Sequence, residues 1–425
     1  MKSKRKFLLG SSLLLLLAGC AGGNYGASND APIDMDRGYD IGSRGDSASS
    51  DYSTSSTKDG ESSAYDEAET SNQNTIKAGS LTCSAVDDNK EYTFWKELAS
   101  TSQNGEKNQF NDFKTGYAFN TFNRLELNVI NGNNIKVKIK DTEYETYVDN
   151  FHKAYLFPTD ADYKEEYEVE ISYVDSNNDA QNVTKTVKTG DTIDLEETFT
   201  ISDYMQIMFV IDATGSMGDE IRYLQAEIDD VISRVKEQNA TANIELSIMM
   251  YRDTGDEYVV KYNDFSTDID AQKAFLLEQQ ARGGGDYEEA VDEALTQAGT
   301  KQWSTNATKL LFFVADAPGH DNAITRWNTA VNALAKQGIK IITIASSGIN
   351  LKTEYFFRSQ SLLTGGQYVF LTNNSGIGGD HLEATTQDKL PVEYLNSCII
   401  RLINGYYTGV MGNPIPYTQD QQHVQ

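Results

Sequence analysis

The chain has 425 residues, long enough for two or three domains with cores of their own, and carries a formal net charge of −27. Binding to nucleic-acid phosphates needs clustered Lys and Arg, so an acidic excess spread along the whole chain excludes nucleic acid as a partner. It favours cations, basic ligands or plain solubility.

Residues 1–20 start basic, Lys2 to Lys6, continue through the apolar run Leu13 to Leu17 and end Ala18-Gly19-Cys20. This order of charge, apolar stretch and small residues is that of a signal peptide, too short to span a membrane as a helix. The ending Leu-Ala-Gly-Cys resembles a bacterial lipobox. That resemblance implies that Cys20 becomes the first mature residue and carries lipid such as palmitate, anchoring an exported protein to the cell membrane. Ala21 after the cysteine favours the outer membrane in a cell that has two.

Residues 21–78 are Gly, Ser, Asp, Asn and Thr with hardly any aliphatic side chains, and cannot bury enough apolar surface to offset their ordering entropy. They read as a tether with a span on the order of 40 Å at random-coil scaling. Arg44-Gly45-Asp46, a string integrins recognise, arises readily by chance in such a composition.

Residues 79–200 read as a β-rich domain, a small sandwich that is Ig-like or carboxypeptidase-regulatory-like. The aromatic stretch 92–119 has no clean period. Strict alternation then sets in at Leu125, Leu127 and Val129, at Ile135, Val137 and Ile139, and at Tyr167, Val169 and Ile171. Turn signals at Asn131-Gly132 and Asp175 to Asn178 mark half-buried antiparallel strands. Exposed aromatics there could bind glycan, and core packing explains them equally well.

From residue 201 to 410 the pattern becomes strands alternating with helices, the sign of an α/β domain with a doubly wound, mostly parallel sheet. The run Met205 to Ile211 is apolar on both faces and ends in Asp212-Ala-Thr214-Gly-Ser216. A helix follows, with Ile221, Leu224, Ile228, Val231 and Val235 in register. A second strand ends at Asp253 and a third lies near 258–262, before a helix over 271–280. The loop Arg282-Gly-Gly-Gly-Asp286 opens another helix, and a buried strand ends at Asp316. Further helices are expected over 324–337, 356–363 and 392–403, with strands over 339–347 and 367–372; residues 411–425 form a polar tail. Cys83 and Cys398 could pair on the oxidising side of a membrane, although Cys398 in an apolar helix suits a buried thiol better.

In a parallel sheet, residues far apart in sequence meet where strands end, so Asp212, Thr214, Ser216, Asp286 and Asp316 can converge. Oxygen donors without His or Cys select a hard cation, Mg²⁺, Mn²⁺ or Ca²⁺, and the four histidines show no zinc-ligand spacing. The alternative for Ser216 and Asp219 is simple helix capping. Asp-x-Thr-x-Ser and the strand pattern around it resemble the metal-ion-dependent adhesion site of a von Willebrand factor type A domain. The resemblance implies Thr214 and Ser216 as direct ligands, Asp212 and Asp316 acting through water, and a cation, Mg²⁺ or Ca²⁺, that takes a carboxylate from a protein or peptide partner. The family usually supplies a Thr from the glycine loop. The bacterial pattern Arg-Asp, Gly-Gly-Gly-Asp and Ala-Asp-Ala-Pro-Gly-His implies that Asp286 takes its place, with Asp253 a further candidate. Asp219, Glu220, Asp253, Asp256, Asp286 and Glu288 would give the mouth a negative rim, favouring Ca²⁺ or a basic partner.

Function is thus expected to be binding, for adhesion or complex assembly, and not catalysis. A Mg²⁺-dependent phosphatase-like hydrolase is the competing reading, but Thr214 stands where such enzymes carry a second carboxylate for acid/base work. A third reading is a structural envelope protein whose metal only stabilises the fold.

Overall fold

The computed structural model describes residues 76–100, 108–117 and 119–418. The signal segment with Cys20, the tether up to residue 75 with Arg44-Gly45-Asp46, and residues 419–425 of the tail lie outside them. No helix among the described residues is long and apolar enough to cross a membrane.

The described chain opens with β1 (Thr82–Val86), α1 (Tyr92–Leu98) and α2 (Asn111–Gly116). Trp95, Phe110 and Phe119 are fully buried. Their rings pack on aromatic residues more than 200 positions away, Trp95 on Tyr355 at 5.9 Å and Phe119 on Trp327 at 5.6 Å between centroids. These aromatics are core, and they belong to the C-terminal part of the chain.

Seven short strands follow: β2 (Leu125–Ile130), β3 (Asn133–Ile139), β4 (Glu145–Tyr147), β5 (Lys153–Leu156), β6 (Tyr167–Val174), β7 (Ala180–Val187) and β8 (Thr192–Asp194). They make two sheets, β5-β2-β8 and β4-β3-β6-β7, whose inward residues form one apolar cluster including Leu127, Val137, Leu156 and Val169. The alternation read from sequence is the alternation between this cluster and solvent. Asp175 to Asn178 does turn a hairpin, β6 to β7, with Asn178 at φ 63°. Asn131-Gly132 does not, because β2 and β3 sit in different sheets and the turn carries the chain from one to the other.

The rest comprises β9 (Tyr204–Asp212), α3 (Ile221–Gln238), β10 (Asn243–Tyr251), β11 (Val260–Ser266), α4 (Ile269–Leu277), α5 (Val291–Gly299), β12 (Thr308–Ala315) and α6 (Ile324–Lys336). Then come β13 (Lys340–Ala345), α7 (Leu351–Thr364), β14 (Tyr368–Leu371), β15 (Glu393–Tyr394) and α8 (Leu395–Thr408). One eight-stranded sheet runs β11-β10-β9-β12-β13-β14-β1-β15. Its five middle strands, β10 to β14 in that order, are parallel, with β11 antiparallel at one edge and β1 antiparallel to β14 and β15 at the other. β9 shows why a continuous apolar run is needed in such a sheet. Met208 and Val210 pack under α5, α6 and α7, while Ile207, Phe209 and Ile211 pack under α3 and α8.

The expected boundary at residue 79 is therefore corrected. Thr82–Val86 and the aromatic segment up to Phe119 belong to the α/β domain, and the separate β cluster begins at Leu125. β1 is fastened by Glu227 of α3, whose carboxylate accepts N–H bonds from Gly79, Ser80 and Leu81 at 2.7 to 2.9 Å. At the other end of the chain, Tyr417 N–H donates to the Val392 carbonyl (2.6 Å), so the first part of the polar tail lies along the domain. Cys83 and Cys398 are both buried free thiols in contact, and burial pushes the Cys83 thiol up.

Two buried ionic groups make checkable demands. Arg358 of α7, with no exposed surface, donates to both oxygens of Asp88 (2.9 and 2.6 Å) and to Glu354 (2.9 Å), which ties the segment after β1 to α7. Arg358→Met leaves two carboxylates buried without their cation and should cost about 3–5 kcal/mol in denaturant unfolding. Lys309, by contrast, is buried beside Lys340, and burial lowers its ammonium to about 8. Between about 8 and the usual lysine value the native state binds fewer protons than the unfolded one, so this residue makes stability rise with pH across that window. Lys309→Met should raise the melting temperature at pH 7 and flatten that rise.

Candidate metal centre

Strands β10, β9 and β12 are neighbours, and their carboxyl ends deliver three loops to one place. Asp212 is the last residue of β9 and is fully buried. Its Oδ1 accepts from the Thr214 N–H (2.9 Å) and the Thr214 hydroxyl (2.7 Å), and Thr214 Oγ1 lies 3.2 Å from Ser216 Oγ. Asp316, one residue past β12 and 5% exposed, meets the Ser216 side chain. The residues 215–219 form a single 3-10 turn, and α3 then begins without a side-chain cap. Helix capping therefore does not account for Ser216 or Asp219.

A fifth oxygen donor joins this group. Glu289, 2% exposed, lies against Thr214 from the loop before α5. Its N–H donates to the Pro318 carbonyl (2.9 Å), and an isolated parallel bridge pairs Glu289 with Gly319, which clamps this loop to the one carrying Asp316. Glu289 sits next to the half-buried Glu288 in a run of acids, where nothing in the sequence marks which one turns inward.

Asp212 Oδ2, Asp316 Oδ1 and Glu289 Oε2 are all buried and none has a hydrogen-bond donor. Tyr251 OH faces Asp212 and likewise makes no bond of normal geometry. The nearby Arg252 guanidinium is committed to the Ala213 and Gln280 carbonyls (3.1 and 3.0 Å). The electrostatics follow. Burial, then the Asp316 charge, holds the Asp212 carboxyl above the usual range against the pull of the Thr214 bonds, and burial raises Asp316 as well. Burial and then Asp212, Asp253 and Asp316 push Glu289 up to about 9.

This is the geometry to set beside known proteins, and residues 206–378 match one family. They form a von Willebrand factor A domain. Domains of this family commonly bind a divalent metal and mediate protein interactions. Alpha-protein kinase vwkA of Dictyostelium discoideum is 25% identical over 173 residues, 40% of this chain and 27% of that protein. An ariadne-like RING finger protein of Acanthamoeba polyphaga mimivirus is 26% identical over 189 residues, 40% of this chain and 18% of that protein. The chain thus spans less than a third of either relative's length.

The donor set suits the metal of such a domain. Three buried acceptors lacking donors, with two hydroxyls beside them, form an all-oxygen pocket for a hard cation. Of the residues expected to line it, the structure brings together Asp212, Thr214, Ser216 and Asp316. Asp286 and Asp253 are placed elsewhere, in a group with His320. The loop explains why: Asp286 is exposed and precedes Glu289 by three residues, and it is Glu289 that turns inward to Thr214. The negative rim also changes, because Glu220 is buried, with Oε1 2.9 Å from His381 Nε2 and accepting the Ser347 N–H.

A raised carboxyl value has a defined sign. Glu289 binds its proton in the native state over a range where the unfolded chain has released it, so metal-free stability falls as pH rises from about 4.5 to about 9. In Glu289→Gln that fall should be smaller, and the melting temperature of the metal-free protein at pH 8 should rise. The same variant should bind Mg²⁺ or Ca²⁺ more weakly by calorimetry.

Proposed function

We propose that this protein is a cell-envelope lipoprotein whose von Willebrand factor A domain binds a protein or peptide partner through a divalent cation, Mg²⁺ or Ca²⁺. The observation that carries this reading is the set of unpartnered buried oxygens of Asp212, Asp316 and Glu289. Left without a cation, they would be three acids desolvated together, a cost met either by taking up protons or by pairing with positive charge. Thr214 and Ser216 fit as direct ligands, Ser216 being exposed at the mouth, while the Asp212 carboxylate orients the Thr214 hydroxyl by accepting its proton. The cation supplies an electrophile for an acidic side chain of the partner. Anchoring through lipid on Cys20 and export to the envelope are part of the same proposal and rest on the sequence of residues 1–20.

A binding role is favoured over hydrolysis because position 214 offers a hydroxyl already engaged with Asp212, not a second carboxylate to act as general acid. Ser216→Ala removes an exposed ligand and should leave melting unchanged while weakening Mg²⁺ or Ca²⁺ binding at least about tenfold. Proximity labelling in the native envelope should then lose the same neighbours in Ser216→Ala as in wild type treated with chelator. Neighbours that survive both treatments would overturn docking through the ion.

A further inference from the structure

We propose that Asp253, Asp286 and His320 form a second divalent-cation site beside the first, of a class that takes a first-row transition ion such as Zn²⁺ or Mn²⁺. One potential ligand atom from each residue lies within 4.8 Å of the other two, and His320 Nε2 is 2.8 Å from Asp253 Oδ1. Donors on one ion at 2.0 to 2.2 Å are separated by about 3 to 4.4 Å, so a small side-chain adjustment brings the three onto one ion. No two of the three are near in sequence, which is why spacing along the chain gave no sign of a histidine site.

The three loops are held in place without an ion. Asp256 accepts from the Asp253 N–H (3.1 Å) and the Gly284 N–H (2.9 Å), joining the loop after β10 to the glycine loop. Gly283 and Gly284 are both left-handed, at φ 81° and 72°, and a Cβ on Gly283 would lie 2.3 Å from the Asp256 carboxylate. The bridge between Glu289 and Gly319 brings in the loop that ends in His320. Three ligands on cross-linked loops are positioned in advance, as a metal site requires.

The donor chemistry sets the class of ion. One imidazole with two carboxylates is poor for Mg²⁺ and Ca²⁺, which take oxygen, and lacks the thiolates that select Cu(I). Two carboxylates and a neutral imidazole balance a dication in charge. The Asp253 side chain is 13% exposed and His320 27%, with Asp286 at the surface, so the site is open to water or a further ligand. His320 Nε2 meeting Asp253 Oδ1 already shows the imidazole and one carboxylate of this group turned toward each other.

None of these three ligands belongs to the Asp212 group, so the two readings stand or fall apart. The test is calorimetry of the full chain, stripped with chelator and titrated with Zn²⁺ and Mn²⁺, in wild type, His320→Ala, Asp286→Asn and Ser216→Ala. Zinc affinity should drop at least about tenfold in His320→Ala and Asp286→Asn and stay unchanged in Ser216→Ala. Melting curves of all four proteins without metal should coincide for the two exposed substitutions, Asp286→Asn and Ser216→Ala. Co²⁺ substitution should give visible bands lost in His320→Ala. Zinc binding indifferent to both His320 and Asp286 would leave only a hydrogen-bonded His-Asp pair and overturn the proposal. Zinc lost only in Ser216→Ala would show a single site and overturn it too. Zinc retained while Mg²⁺ and Ca²⁺ fail to bind anywhere would sink the proposed function and leave this site standing.

Discussion

Asp212 sets the terms for the rest of the domain. It ends a strand buried on both faces, in register with Tyr251 of β10, and it has no exposed surface. One of its oxygens is satisfied within its own loop by Thr214; the other has nothing. A desolvated carboxylate with a free oxygen is among the least favourable groups a fold can hold, and the protein groups around it do not offset that cost. Its own turn supplies two hydroxyls, Asp316 and Glu289 add further acceptors instead of donors, and the one guanidinium close by binds carbonyls. The arrangement makes sense as half of a complex whose other half is positive.

The parallel sheet makes that arrangement possible. With β10, β9 and β12 side by side and running the same way, their carboxyl ends release three loops within reach of one another, and backbone contacts fix the α4–α5 loop to those after β9 and β12. Gly215 N–H donates to the Gly283 carbonyl (2.9 Å), Arg282 N–H to the Ala213 carbonyl (2.9 Å) and Glu289 N–H to the Pro318 carbonyl (2.9 Å). Loops held by their own backbones keep charged side chains in position at no further entropy cost on binding. The glycines of the Arg282 to Asp286 loop serve this close approach, which is why the loop is glycine-rich.

Much of this was legible in the sequence where the signal is local. Continuous apolar runs ending in Asp212 and Asp316 gave the buried strands and the end at which oxygens gather, and 3.6-residue spacing gave α3 and α6. What was not legible depends on partners distant in the chain. Thr82–Val86 is only five residues long, and its sheet partners lie near residues 370 and 393. The aromatics between 92 and 119 show no period because they pack on α7 and Trp327 and not on a repeating face of their own. The sequence points to Asp286 and not to Glu289 as the inward carboxylate, since one turn of a loop decides which of them faces Thr214. His320 was set aside for want of spacing, although spacing is informative only when ligands share one helix or hairpin.

The direction of β1 bears on how the domain would work if anchored as proposed. β1 is antiparallel to β14, with Cys83 opposite Leu371 and Val86 opposite Tyr368, so the chain enters the sheet at the carboxyl end of the parallel strands. That is the end where Asp212, Asp316 and Glu289 lie, several strands across the sheet. A domain joined to a lipid on Cys20 by a short leader would therefore turn its binding end toward the bilayer and away from partners. Were residues 21–78 the tether their composition suggests, a span on the order of 40 Å would remove that conflict by letting the domain present the same end outward. Glu227, accepting N–H bonds from Gly79, Ser80 and Leu81, pins the chain just ahead of β1 and resists peeling of β1 from the sheet.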